Sequence, residues 1–360
     1  MQTPNQDVTA ISNYAGTYSP QLIAQLLNGL DIAKDLKVIF NLKAPLNLTK
    51  LIVNGGIRPL DTAVNTASKP GRVWSKRVLH PRVGMKIFSV VPEELRDTWM
   101  SEMLDPNAID VPFAQWVWDQ EFIKLQTEIN DTVALMQYHG DAVDFDATVV
   151  YSPGNTFVYG ANRDIYQVIT LTTAGQTPDT NSAKFTKITA LSICDGPLTV
   201  LNQAITANEI PAGQIIATGA IDATNAVAKL RSVYLGAPVA LRNKKTKMFV
   251  SYSVFENYKT NYDNTYGKPH GNILYEEDKK SISLYQSSGN CEIVPCTWLQ
   301  GSSRVIMTLP DNWIMGTNLL DDVNGLGKMI PTLHGFIAIC KFILCFQFAD
   351  AEVVYVNDQN

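Results

Sequence analysis

Four histidines and five cysteines are the residues of this 360-residue chain best suited to chemistry, and their spacing argues against it. His80, His139, His270 and His334 are scattered, and each stands beside a Gly or a Pro. That is the punctuation of loops, whereas general acid–base work needs a titrating partner held at hydrogen-bond reach. Cys291 and Cys296 have four residues between them, as do Cys340 and Cys345. A zinc site favours a two-residue spacing with His nearby, so no metal is expected. Together with Cys194 these read as reduced core thiols in a reducing compartment. There is no G-x-S-x-G, H-E-x-x-H or G-x-G-x-x-G, and GLGK at 325–328 lacks the spacing to cradle a phosphate. Asp321–Asp322 and Glu276–Glu277 read as solvated loop charges. Neither a cofactor nor an enzymatic activity is expected.

A chain without a catalytic constellation works through its surfaces, so the elements that shape them come next. In DVPFAQWVWDQEFIKLQTEINDTVALMQYHG, Asp110 can accept from the first free amides of a helix, Pro112 fits the first turn and Gly140 suits a left-handed exit. Trp118, Phe122, Leu125, Ile129, Val133 and Met136 recur every three or four residues as one stripe. About 28 residues at about 1.5 Å each predict a helix of roughly 42 Å. Phe113, Trp116, Val117 and Ile123 fall away from that stripe near its start, so this end needs a second covering surface, which a neighbouring copy could supply.

The bulk numbers bound the class. With 46% hydrophobic residues a sizeable core is affordable, and the length suggests two or three domains. A net charge of -5 argues against binding nucleic acid by bulk electrostatics. FIAICKFILCFQF at 336–348 is interrupted by Lys341 and too short for a membrane span, and it reads as a buried strand. MQTPNQDVTAISNYAG has neither a basic nor an apolar signal region, so a cytoplasmic product is expected.

Along the chain, a polar arm precedes a helix in SPQLIAQLLNGLDIAKDL. Two β-rich stretches, 46–57 and 81–91, flank a polar one and predict a long hairpin that needs a surface to lie on. PEELRDTWMSEM at 92–103 predicts a short acidic helix. From 145 to 190 aromatic and β-branched residues alternate with Gly, Asn and Pro turns, a compact all-β piece. Helices are predicted from Asp222 and from Ser253, and strands over 246–252, 281–285, 291–299, 303–309 and 336–356.

Charge is segregated. Arg58, Lys69, Arg72, Lys76, Arg77, Arg82 and Lys86 face the single acid Asp61 between 58 and 86, whereas Glu93, Glu94, Asp97, Glu102, Asp105, Asp110, Asp119 and Glu121 face Arg96 alone between 93 and 121. Either the two segments neutralise each other within one chain, or a basic hairpin reaches over the acidic surface of a neighbouring copy.

The order of parts, with ICDGPLTVLNQ at 193–203, the stretch from IPAGQ at 210 to VFENY at 258, and IVPCTWLQGSSRVIMTLPDNWIMGT at 293–317, resembles the major capsid protein of tailed bacteriophages, a fold shared with herpesvirus capsids and encapsulins. The resemblance implies an α+β fold. Its parts would be an N-terminal arm and short helix over 1–45 and an extended loop over 46–91. A peripheral domain over 92–144 would hold a spine helix at 112–139. A β insertion would occupy 145–190, an axial domain 191–280, and axial and peripheral strands 281–360. It implies a structural protein that assembles into hexamers and pentamers around double-stranded DNA in a virion built in the host cytoplasm. Its partners would be itself, a portal, a separate scaffold and head–tail connectors, with no membrane. Some members join a loop Lys to a neighbour's Asn, and Lys69 and Lys76 are available here. The insertion is similar to small chitin-binding β modules, with Tyr151, Tyr159, Tyr166 and Phe185 as candidate sugar-stacking aromatics, although the usual Trp is missing. An encapsulin-like compartment and a carbohydrate-binding surface protein are the alternatives.

Overall fold

The structure, a computed structural model, describes residues 29–54, 71–90, 110–140, 142–161, 163–189, 193–267, 281–317, 330–331 and 336–359. In chain order, helix α1 (Asp31–Asp35) and strand β1 (Lys37–Ile39) lead to β2 (Leu46–Asn54), β3 (Gly71–Leu79) and β4 (Arg82–Val90), and then to the long helix α2 (Asp110–Thr132). Strands β5 (Val143–Asp144), β6 (Thr156–Tyr159), β7 (Asp164–Val168) and β8 (Phe185–Lys187) make a sheet of their own. Next come α3 (Pro197–Thr206), β9 (Ile215–Ile216), α4 (Ala226–Gly236), α5 (Val239–Arg242), β10 (Thr246–Ser251) and α6 (Tyr252–Tyr266). The described chain closes with β11 (Ile282–Ser283), β12 (Cys291–Cys296), β13 (Ile306–Thr308), β14 (Trp313–Thr317), β15 (Ile330–Pro331), β16 (Phe336–Phe348) and β17 (Tyr355–Asn357).

The apolar run 336–348 is one strand, β16, and it organises the first sheet. β14, β15 and β4 all pair with it antiparallel, and β1 adds to β14 in parallel. Side chains alternate across a strand. Accordingly Cys340, Phe342, Leu344, Phe346 and Phe348 are buried on one face of β16, while Lys341 is exposed on the other. The buried face receives α2. Trp118, Phe122, Leu125, Ile129, Val133 and Met136 are each 2% exposed or less and share one cluster with Phe88 and Phe342. Phe88 meets Trp118 and Phe122 edge-on at 5.9 and 6.3 Å. The long helix therefore packs on its own sheet, fixed further by Lys86 Nζ, which lies 2.6 Å from Glu128 Oε2.

The helix is shorter than its stripe predicts. The α-helix stops at Thr132, a single 3-10 turn covers Val133–Leu135, and Met136 is extended. Tertiary partners take over here, because Gly196 N donates to Met136 O at 2.8 Å and Tyr138 N donates to Asp195 Oδ1 at 2.9 Å. A Cβ at Gly196 would stand 2.0 Å from Val133 O, so only glycine lets α3 start against that turn. The helix expected from Asp222 begins at Ala226, since the Asp222 carboxylate instead accepts from Thr224 N in a local turn.

The hairpin is also paired differently from expectation. β2 pairs with β3, from Leu46 opposite Leu79 to Asn54 opposite Gly71, and residues 82–90 run along 336–344 instead. In β4, which pairs with β16 alone among the described residues, Val83, Met85 and Ile87 alternate on one face and Phe88 lies on the other. The basic residues of β3 hid its strand character.

A second sheet runs β11-β12-β10-β13-β17-β9. Its two faces join two cores by strict alternation. Met248, Val250, Ile293, Met307 and Tyr355 pack with α4 and α6, whereas Phe249, Val294, Ile306 and Val356 belong to the core beneath α2.

Candidate assembly surfaces

The β2–β3 ribbon has two unlike faces. Leu46, Leu48, Lys50 and Ile52 share one with Val73, Ser75, Arg77 and Leu79, and Asn47, Thr49 and Leu51 share the other with Trp74, Lys76 and Val78. The first face is anchored at its base, where Leu79 is buried with Leu42, Ile314 and Cys345, and Leu46 and Leu48 pack alongside. Lys50 Nζ reaches Asp350 Oδ2 and Glu352 Oε2, each at 2.6 Å. Burial pulls the Lys50 ammonium down, but the hydrogen bonds to Asp350 and Glu352 outweigh it and hold its pKa above the usual lysine value. Arg77 Nη1 lies 2.6 Å from Glu209 Oε2, its Nε donates to Gln347 Oε1 at 3.2 Å, and its guanidinium sits 3.8 Å from the Phe348 ring centre. Farther out both faces are wet. Leu51 is 41%, Val73 49% and Trp74 69% exposed.

Among the described residues, the face of the first sheet that turns away from α2 is covered by the ribbon base at one end. At the other end Val83, Met85 and Ile87 are 66%, 64% and 53% exposed. They stand opposite Ile343, Lys341 and Ile339 of β16, so the open face is aliphatic with one ammonium in it.

Of the basic residues singled out in sequence, Arg58 and Lys69 lie outside the described residues, as do the acidic Glu93, Glu94, Asp97 and Glu102. Arg72 occupies β3, and Lys76 is exposed on the outer ribbon face. Arg77 and Lys86 make the in-chain ion pairs already given, and the Arg82 guanidinium stacks 3.7 Å from the Tyr138 ring centre. At the start of α2, Phe113 is on the first turns, Trp116 is half-buried against the main core and Ile123 is exposed. Val117 is a correction. It is buried in its own chain's core and needs no neighbour to cover it. Sequence reasoning passed over Val73, Trp74, Val83, Met85 and Ile87; the period-two spacing of Val83, Met85 and Ile87 in RVGMKIF was an available signal, whereas the adjacent Val73 and Trp74 in RVWSKRV offer none.

The insertion's aromatics serve its interior. Tyr151 and Phe185 are buried around Phe157, and Tyr159 and Tyr166 are half-buried against them. Phe145 stacks on Tyr151 at 5.6 Å, Phe185 meets Phe157 edge-on at 5.6 Å, and Tyr159 Oη donates to Asp179 at 2.8 Å. A sugar platform needs open ring faces, so Tyr151 and Phe185 do not form one. A module of this size has no other core, and its rings went to building one.

All five cysteines are free and buried. Burial pushes the thiols of Cys291, Cys340 and Cys345 up to about 12, and those of Cys194 and Cys296 well above the ordinary value. Such thiols are poor nucleophiles and poor ligands. Among the described residues no group of three or more His, Cys, Asp or Glu is placed to hold a metal ion, and no helix is long and apolar enough to cross a membrane.

No family model matches the chain, and no curated protein matches it. Among solved structures it is similar to a chain of the satellite phage P4 procapsid, with TM-score 0.49 and 9% identity over 94% of this chain and 90% of that one. It is similar to the capsid of Myoviridae phage XM1, with TM-score 0.46 and 8% identity over 91% and 90%. It is also similar to an encapsulin from Synechococcus elongatus, with TM-score 0.45 and 9% identity over 91% and 86%.

Proposed function

We propose that this chain is a structural shell subunit, the major capsid protein of a tailed bacteriophage, assembling through its own surfaces into hexamers and pentamers around double-stranded DNA. One observation carries the reading: the outer half of the β2–β3 ribbon, led by Trp74, and the Val83–Met85–Ile87 face are two apolar surfaces that a lone chain leaves in water. Large exposed apolar patches mark interaction sites, and a two-stranded ribbon is marginal in water until it lies on something. The work is done by complementary surfaces. A portal, a separate scaffold and head–tail connectors are the partners such a shell would need.

Electron microscopy of the purified assembly, with nuclease protection of its contents, tests the reading. Closed shells with five- and six-fold capsomers and protected DNA are expected. Closed shells that hold only protein would favour a cargo compartment, and a monomer at every concentration and salt would overturn the shell itself.

A further inference from the structure

Trp116, Ile123 and Asn130 follow one another at seven-residue intervals, so they lie on one flank of α2, beside the stripe that meets the first sheet. Ile123 is 49% exposed there, and Trp116 is half-buried. Thr127 donates its hydroxyl to the carbonyl of Ile123 at 2.9 Å, so its methyl group is the part left to pack. At Asn130 the flank meets the place where the described chain begins. The Asn130 side chain holds that chain twice, with Nδ2 donating to Gly29 O at 3.0 Å and Oδ1 accepting from Asp31 N at 3.2 Å. Leu30, between them, is buried in the main core, and Gly29 lies against the Gln126 side chain. From there α1 leads to the turn Thr297–Leu299, where Asp31 accepts from Thr297 Oγ1 at 3.0 Å and Asp35 from Trp298 Nε1 at 2.9 Å. That turn packs at the end of α2, against Val133–Leu135. The outgoing chain thus takes the C-terminal side of Asn130, and because Leu30 is extended, the incoming chain is left the way along Ile123 and Trp116.

The sequence just upstream fits this flank. Residues 19–28, SPQLIAQLLN, carry no charge and predict a helix with Ser19 as its cap, and Ile23, Leu26 and Leu27 run on into Leu30 at the i, i+3, i+4, i+7 spacing of one face. A helix of about ten residues is marginal alone in water, so it needs a surface. We propose that residues 19–28 form a helix lying parallel to α2 on the flank of Trp116 and Ile123 in the same chain, and that this helix is the second cover the start of α2 calls for. Both helices rise about 1.5 Å per residue, so counting back from the contact of Gly29 with Asn130 sets Leu22 and Ile23 beside Ile123 and Leu26 beside Thr127. Asp119, half-buried, then comes beside the first turn, whose unbonded amides favour a carboxylate. So short a helix lifts off before the body unfolds, and its loss is read in local exchange instead of the global midpoint. The contact lies within one chain and is independent of shell formation.

The test is a disulfide in the full chain, whose five native thiols are too buried to compete. Ile23→Cys combined with Ile123→Cys and oxidised with diamide should close within one polypeptide, seen as a faster band on a non-reducing gel. Ile23→Cys combined with Glu121→Cys, on the opposite flank of α2, should not close. Single-cysteine chains, Ile23→Cys mixed with Ile123→Cys, should give no disulfide-linked dimer. In the parent without added cysteines, amides 20–27 should exchange at least about tenfold more slowly than in Ile123→Asp, while those of the α2 stripe stay equally slow in both. Failure of the 23–123 pair to close overturns the proposal. So does a linked dimer in the mixture, which would hand the flank to a neighbouring copy, and so do amides 20–27 that exchange equally fast in the parent and in Ile123→Asp.

Discussion

The amide of Gly196 donates to the carbonyl of Met136 at 2.8 Å, and this one bond closes the stem of the β insertion. The chain that enters the module after His139 and the chain that returns before α3 run side by side, reinforced by Tyr138 N on Asp195. The module's core, Tyr151, Phe157, Val168 and Phe185, is a cluster of its own. Replacing residues 142–189 with a short Gly-Ser linker should therefore leave the main body folded, with the urea midpoint of the remainder changed by less than about a tenth. Loss of soluble, cooperatively unfolding protein would show that the body depends on the module.

Adjacent residues on α2 should behave oppositely. Phe122 is fully buried between Trp118 and Phe88, so Phe122→Ala should cost about 3–5 kcal/mol, whereas Ile123, 49% exposed, should cost less than about 0.5 kcal/mol as Ala. Denaturant titration of the unassembled subunit reads both. Comparable losses would mean that α2 does not pack as described.

Stability should carry a pH signature from Asp35. Burial raises its pKa, and the hydrogen bond from Trp298 Nε1 at 2.9 Å only partly offsets this. A carboxyl raised on folding contributes nothing unfavourable below its unfolded value, near 3.8, and stability is lost as pH rises through the folded value. Asp35→Asn keeps an oxygen for Trp298 and removes the titration. Its gain over the parent should be greatest near pH 7 and vanish toward about pH 4. Equal midpoint differences at both pH values would exclude Asp35 as the cause.

Trp74→Ser and Met85→Ser should each raise the subunit concentration needed for assembly by about tenfold or more, as loss of a buried hot spot does. Both side chains are more than 60% exposed in the subunit, so its thermal midpoint should hardly move. Light scattering across a concentration series measures the first effect and calorimetry the second. Normal assembly of both variants would leave these surfaces without a role in it.

What the sequence made legible was periodicity with one buried side. The stripe from Trp118 to Ile129 and the run 336–348 each gave a single element, because burial on one face imposes a repeat that composition alone cannot mimic. The strand β3 was not legible for the converse reason. With both faces in water around Trp74, nothing enforces alternation, and its Arg72, Lys76 and Arg77 read as a polar loop. The end of α2 was set by Asp195 and Gly196, sixty residues on in the chain, which no local pattern can announce. The burial of Tyr151 and Phe185 was equally hidden, since a ring that stacks on a ligand and a ring that fills a small core have the same spacing.

The position of β17 has a consequence for synthesis. This strand, Tyr355–Asn357, lies between β13 and β9, and Val354 and Val356 enter the core beneath α2. Likewise β1 waits for β14, Lys37 for Ile314. A nascent chain leaving the ribosome can raise α2 and the insertion early, but neither large sheet can close until β16 and β17 have emerged. Until then β9, and β13 once made, offer unpaired edges and the helix stripe has no sheet to lie on. Such long-range closure is slow and leaves aggregation-prone surface open. Both sheets thus close only once β16 and β17 are available, and the interval before that is when holding chaperones have the most to bind.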